Sequence, residues 1–295
     1  MITTMFHGLS MALADSVPGV SGGTVAFILG FYERFLGALH DFFGREAAKR
    51  KAAFFYLVKF AVGWVIGMGG SILLLSRVFA QNIYFLSSLF LGLTLGAIPF
   101  ILYEEWDSVR GQGKNLVFTL VGLALVAGMT ALRQSAGGLG NIRFQSLSVV
   151  QLVYLLICGG LAISAMLLPG ISGSTLLLIF GVYVPAVNAV KELMHLHFEY
   201  LPGVLALAAG VGLGVILTAN GIRRALENHR SKMIYFILGL LLGSLYAIAM
   251  GPTTLDVPQP GLSFGNFQAL GFLLGAAILV GLEWVKYCTK TAVRS

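Results

Sequence analysis

Two short motifs carry most of the polar chemistry in this sequence. PGVSGGT begins at Pro18 and PGISGST begins at Pro169. Proline lacks an amide hydrogen and glycine disfavours helix, so each motif predicts a break between two helical arms. The arm after the break starts with hydroxyls, glycines and free amides at the positive end of a helix dipole, a ready site for an anion. The predicted phosphate ligands are Ser21, Gly22, Gly23, Thr24, Ser172, Gly173, Ser174 and Thr175.

A simpler interpretation of the same residues is structural. Ser and Thr cap helices, and small residues let helices pack closely. The presence of two copies favours the anion site, because a helix break at bilayer depth is tolerated only where protein or a water-filled cavity surrounds it.

Asp15 stands three residues before Pro18, close to the first break. An ionised carboxylate is costly inside a membrane, so this group favours its protonated form and is a candidate proton carrier. The alternative is a carboxylate bound by free amides of the break. The second copy has Met166 at this position, which indicates that the break itself does not require an acid.

Glu33 and Arg34 follow the first break by about ten residues, which is about 15 Å along a helix and near the membrane surface. One interpretation is interfacial anchoring. In the other, Arg34 attracts the phosphate, and Glu33 is its partner or a second proton site. Lys59 and Arg77 lie near the ends of one apolar run, where long cationic side chains reach the interface. Whether either contacts substrate stays open.

Composition makes this an integral membrane protein. Of its 295 residues, 57% are hydrophobic and 11% charged, far from the roughly 25% charged residues of a soluble domain. The net charge of +7 is spread between apolar runs, so it does not indicate nucleic-acid binding. His195 and His197, with Glu192 and Glu199, could form a weak metal site, but such a cluster is more often a solvated loop, so no metal or cofactor is predicted. Six apolar runs are long enough to span the bilayer: 55–76, 83–103, 115–132, 203–220, 233–250 and 266–284.

The chain is internally duplicated. An offset of 151 residues places PGVSGGTVAFILGFY on PGISGSTLLLIFGVY, and also Gly92 on Gly243. We therefore predict one transmembrane domain, 1–295, made of two all-α repeats. Repeat one, 1–148, has a re-entrant hairpin at 3–40 and three spans, and repeat two, 149–295, has a hairpin at 149–190 and three spans.

The basic residues predict that the two repeats have inverted topology. Three spans per repeat is an odd number, so re-entrant hairpins would turn the second repeat upside down. The loops then assigned to the cytoplasm hold 14 Lys and Arg residues and the outer loops hold 3, as positive-inside sorting requires, with both termini cytoplasmic. The first arm, about 14 residues and 21 Å long, is too short to cross.

These motifs resemble a known family. Ala14 to Thr24, the following Gly30-Phe31-Tyr32-Glu33, and Leu168 to Thr175 are similar to the PopT family of bacterial polyprenyl-phosphate transporters, long known only as a membrane domain of unknown function. The resemblance implies a flippase in the bacterial inner membrane that returns undecaprenyl phosphate, the carrier lipid of cell-wall synthesis, for reuse. Coupling to protons, chain-length preference and oligomeric state stay open.

Two other functions compete with this expectation. A small-anion channel or transporter would use the same helix ends. An intramembrane serine hydrolase is suggested formally by Gly19-Val20-Ser21-Gly22-Gly23, but the G-x-S-x-G motif needs a strand–turn–helix and a base, and neither accompanies both copies. We therefore expect a transporter rather than an enzyme.

Overall fold

The computed structural model describes residues 2–15, 20–71, 76–135, 144, 147–254 and 258–292. These residues form helices and no strand, in agreement with the all-α prediction. The helices are α1 Ile2–Asp15, α2 Gly22–Ile28, α3 Tyr32–Phe42, α4 Ala47–Gly70, α5 Ser76–Glu104, α6 Trp106–Val109, α7 Leu116–Ser135, α8 Val149–Leu167, α9 Gly173–Ile179, α10 Tyr183–Met194, α11 Leu201–Asn228, α12 Arg230–Ala249 and α13 Ala269–Ala292.

Six helices of the described residues are long and apolar enough to cross a membrane. Five of them, in α4, α5, α7, α11 and α12, overlap the predicted runs. The sixth is α8, Val149–Leu167, which the sequence assigns to the second hairpin. The remaining predicted run, 266–284, forms α13, whose described apolar part is the shorter Ala269–Gly281.

The short helices that follow the two motifs are alike, and they lie 151 residues apart in the chain. Helices α2 and α9 each have seven residues and each follows a serine in extended conformation, Ser21 and Ser172. Each helix ends in the same hydrogen-bond pattern around a glycine with positive φ, Gly30 (72°) and Gly181 (66°). Glycine is the residue that adopts this C-terminal turn without strain. The sequence motif therefore encodes one local structure twice.

Glycines set the pairing of the long helices. In the first half, a Cβ at Gly63 of α4 would overlap the carbonyl oxygen of Met5 in α1. In the second half, a Cβ at Gly210 of α11 would overlap that of Leu156 in α8. Helix α5 packs on α13, and α7 packs on α12, in the same way. Such close backbone contact is typical of helix pairs within membranes.

In the long helices, glycines that make equivalent packing contacts are not the ones that the sequence alignment at 151 residues matches. Gly92 of α5 approaches Phe272 of α13, and its counterpart by packing is Gly239 of α12, which approaches Thr119 of α7. That offset is 147 residues, so the predicted pairing of Gly92 with Gly243 is displaced by four residues. The 151-residue offset therefore relates the two hairpins, whereas α5 and α12, which follow them, are related by an offset four residues shorter.

The halves differ in how their hairpins meet the rest of the protein. Helix α3 packs against α11, and α9 packs against α7. No comparable contact joins the equivalent pairs, α10 with α4 and α2 with α13, within the part of the chain that the structure describes. The two halves therefore have similar local structure but differ in how their short helices pack against the long ones.

Candidate functional site

The two helix breaks meet in the interior. Thr24, in the first turn of α2, accepts a buried hydrogen bond of 2.7 Å from the amide of Gly170 in the second break. Beside it, the Tyr32 hydroxyl donates to the carbonyl oxygen of Leu167 at 2.6 Å. A Cβ at Gly23 would lie 3.0 Å from the carbonyl oxygen of Met166. Residues far apart in the sequence thus form one polar region, which we call the tip site: 20–24 with 168–175.

Glycine lets each short helix lie directly on the arm before it. A Cβ at Gly22 would be 2.5 Å from the Met11 side chain and 2.6 Å from the Asp15 carboxylate. At Gly173 it would be 2.7 Å from the Ala162 carbonyl oxygen and 3.2 Å from Met166. These neighbours occupy equivalent positions in the two repeats. The difference in charge is that an acid, Asp15, lies where the second half has Met166.

Asp15 is bound to the first break through one oxygen. Its Oδ1 accepts the amide of Gly22 at 2.7 Å. The Trp64 side chain approaches the same carboxyl group, but Oδ2 is buried without a hydrogen bond of normal geometry to any described residue. The structure therefore supports binding of the carboxylate by a break amide and leaves its second oxygen available.

Several donors at the tip site have no acceptor among the residues that the structure describes. The Ser21 side chain is 2% exposed, and its Oγ has no partner among the described residues. Ser172 and Ser174 hydroxyls bond to each other at 2.8 Å. The amides of Gly173 and Ser174 open α9, and no acceptor for them is found in the described part of the chain. Unpaired buried donors are costly unless a ligand or water binds them, so this region is suited to an anion.

Arg34 is not brought to the tip site. Its guanidinium lies 5.1 Å from the centre of the Tyr56 ring, on the exposed side of α3. Glu33 is also exposed, and its ion pair is with Arg230 at 3.1 Å rather than with Arg34. Arg230 binds Glu105 as well, at 2.5 and 2.8 Å. The sequence gives no sign of this cluster, because its members are far apart in the chain.

A cavity of about 310 Å³ separates this charged cluster from the tip site. Its deep end is lined by Phe27 and Tyr32 and its outer end by Glu33 and Arg230. It occupies the space between α2 and α13, where the packing seen between α9 and α7 is missing. Next to it on α5, Thr94 is buried, and its hydroxyl lacks a partner among the described residues.

Some predicted positions lie outside the described residues. They include Pro18 and Gly19 of the first motif and the side chain of Arg77. Lys59 is half-buried in α4. Among the residues that the structure does describe, no group of three or more His, Cys, Asp or Glu side chains is placed to hold a metal ion.

These features define a multi-pass helical membrane protein with a buried polar site where two helix breaks meet. Residues 11–263 match the family described as VCA0040-like, undecaprenyl phosphate translocase-like, and the chain belongs to this family. This confirms the resemblance carried by the two motifs.

Two characterised relatives cover most of the chain. A polyprenyl-phosphate transporter of Staphylococcus aureus is 33% identical over 85% of this chain and 87% of its own length. A polyprenyl-phosphate transporter of Vibrio cholerae is 29% identical over 98% of this chain and 97% of its own. No solved structure matches this sequence significantly.

Proposed function

We propose that this protein is a flippase that moves polyprenyl phosphate, with undecaprenyl phosphate as its substrate, across the bacterial inner membrane. The relatives named polyprenyl-phosphate transporters support the substrate class. The observation that carries the mechanism is the direct contact of Thr24 with Gly170, which joins two breaks rich in unpaired donors. The phosphate binds there, and the lipid tail stays in an apolar environment.

The phosphate ligands in this proposal come from residues 21–24 and 172–175. Phosphate oxygens accept hydrogen bonds strongly, and charge-assisted bonds are about twice as strong as neutral ones. The buried Ser21 hydroxyl and the first amides of α9 are suitably unoccupied donors. Arg34, exposed on α3, acts on the way to or from the site rather than within it.

Two inverted repeats with re-entrant hairpins would give the phosphate group its path across the membrane. The glycine contacts that pair α1 with α4 and α8 with α11 support two equivalent units. Charge sorting of the loops supports opposite orientation, with both termini in the cytoplasm. In such transporters, broken helices meet near the midplane, and the two units move against each other to alternate access. The cavity that ends at Glu33 and Arg230 is then the cytoplasmic exit, and Asp15 with Glu33 are the proton-coupling candidates.

Separate serine substitutions test the phosphate site. Vesicles containing the purified protein and undecaprenyl phosphate are assayed for movement of the lipid between leaflets. We expect Ser21→Ala and Ser172→Ala each to slow transport about tenfold, and the double variant to slow it further, since a hydrogen bond to a charged group contributes about 1.5–3 kcal/mol. Ser71→Ala is the matched control, because Ser71 is buried but bonds only to its own helix at Gly67.

The same assay separates the competing functions. A channel would pass chloride or inorganic phosphate through vesicles without lipid substrate. A serine hydrolase would lose all activity with one serine variant and none with the other. Unchanged lipid transport in both serine variants would contradict the proposed phosphate site.

A further inference from the structure

An apolar groove of about 220 Å³ lies between α8 and the helices α1, α3 and α4. Repeat one contributes side chains from α1, α3 and α4, and repeat two contributes side chains from α8. Every residue that lines it is apolar, and the walls are formed chiefly by Met11, Phe60, Ala61, Trp64, Ile163 and Met166. This composition cannot bind a phosphate, but it suits a hydrocarbon chain.

The inner end of the groove touches the tip site. The Met11 side chain lies against Gly22, and Met166 lies against Gly173. Trp64 approaches the carboxyl group of Asp15. The groove therefore begins at the residues that follow the two breaks.

The outer end of the groove reaches the protein surface at Ala61, which is exposed. On the same helix, Val62 and Val65 are 43% and 62% exposed. This is the apolar surface that α4, one of the membrane-crossing candidates, presents to lipid. The groove thus connects the tip site laterally with the bilayer.

We propose that this groove binds the first isoprene units of the polyprenyl chain, an inference that rests on the proposed function. A pocket of this size is smaller than the roughly 300–1,000 Å³ of a typical ligand pocket, so it accepts only the part of the tail next to the phosphate. The remaining units stay in the lipid. Methionine and aromatic walls adapt to a branched, unsaturated chain through their flexibility and polarizability.

Two probes separate the tail groove from the phosphate site. Binding of inorganic phosphate and of farnesyl phosphate, which carries three isoprene units, is measured on the purified full-length protein in detergent. Ala61→Trp fills the outer groove, and Val65→Trp adds the same side chain to the same helix outside it. Thermal unfolding shows whether each variant is folded, and Ala61→Leu serves where the tryptophan is not tolerated.

We expect the wild type to bind farnesyl phosphate at least tenfold more tightly than inorganic phosphate. Ala61→Trp should lose about tenfold for farnesyl phosphate, which corresponds to excluding about two methylene groups, with unchanged affinity for inorganic phosphate. Val65→Trp should match the wild type. Equal farnesyl phosphate affinity in both tryptophan variants would overturn the groove and leave the phosphate site intact. An equal loss of affinity for both probes in Ala61→Trp would also overturn the groove, because the substitution would then act on the phosphate site. A wild type that binds neither probe would overturn the proposed function itself.

A photoreactive benzophenone side chain at position 61 identifies the occupant in membranes. It should cross-link to radiolabelled undecaprenyl phosphate far more than the same group at position 65. Cross-linking to phosphatidylglycerol alone would show that ordinary bilayer chains fill the groove, and the inference would fail.

Discussion

Asp15 and Met166 hold equivalent positions against Gly22 and Gly173, so a carboxyl group lies against the short helix of the first break and an uncharged side chain against that of the second. In the first break the Gly22 amide is occupied by Asp15. In the second, the first amides of α9 have no acceptor among the described residues. In the proposed site, a phosphate that binds the free donors of both breaks lies next to the Asp15 carboxylate, and protonation of that carboxylate would remove the repulsion between the two anions.

Replacing Asp15 should change how transport depends on pH. When Asp15 is ionised, its charge opposes the phosphate at short range in a site of low dielectric constant, and protonation removes that repulsion. The wild type should therefore bind farnesyl phosphate more tightly as pH falls. Asp15→Asn resembles the protonated form, so its affinity should stay high between pH 5 and pH 8 and should change only as the phosphate itself loses its second proton, at about pH 6, while proton-driven transport slows.

The comparison is affinity and vesicle transport over that pH range for the wild type, Asp15→Asn and Asp107→Asn. Asp107 is exposed on α6 and serves as the control. An unaltered pH profile in Asp15→Asn would exclude the proton role.

At the scale of elements, the long helices are held by backbone contacts that only glycine permits. A Cβ at Gly239 of α12 would overlap the carbonyl oxygen of Thr119 in α7. Gly128, also in α7, has open space where its Cβ would be. A substitution at Gly239 therefore tests the packing role of glycine, and a substitution at Gly128 tests only its low helix propensity.

Alanine at these two glycines should have opposite effects on stability. Gly239→Ala forces α7 and α12 apart and should destabilise the protein by about 1–3 kcal/mol, the usual cost of overpacking. Gly128→Ala should leave stability unchanged or raise it, because alanine is the better helix former. Thermal unfolding in detergent measures both. Equal midpoints for the two variants would contradict the glycine packing described here.

Sequence and structure agree best where one motif determines one local fold. The breaks, Ser21 and Ser172 before the short helices, and the turns at Gly30 and Gly181 all follow from residue type. The four-residue shift that pairs Gly92 with Gly239 could not be predicted, because connecting loops absorb it without altering the hydrophobic pattern. The pairing of Glu33 with Arg230 and the apolar groove depend on tertiary packing between repeats, which periodicity does not report.

For the whole molecule, asymmetry between equivalent interfaces is the main structural feature. Helix α3 is tied to the second repeat by His40 with Asn220, by Asp41 with Arg223 at 3.6 Å, and by Glu33 with Arg230. The described residues show no comparable contact between α10 and α4. If the two halves are the moving units of the proposed transport cycle, they would exchange these arrangements, as the repeats of alternating-access transporters do.

Fixing α3 to α11 should therefore stop transport without preventing binding. In a protein whose native cysteines, Cys158 and Cys288, are replaced, His40→Cys and Asn220→Cys are joined by a short, cleavable thiol cross-linker. We expect lipid transport to fall at least tenfold and to recover on reduction, while farnesyl phosphate affinity changes less than twofold. The single-cysteine variants, treated identically, should keep transporting. A cross-linked protein with normal transport would mean that α3 and α11 stay together throughout the cycle. The asymmetry would then be a fixed property of the fold, and movement would have to occur at the α2–α13 cavity alone.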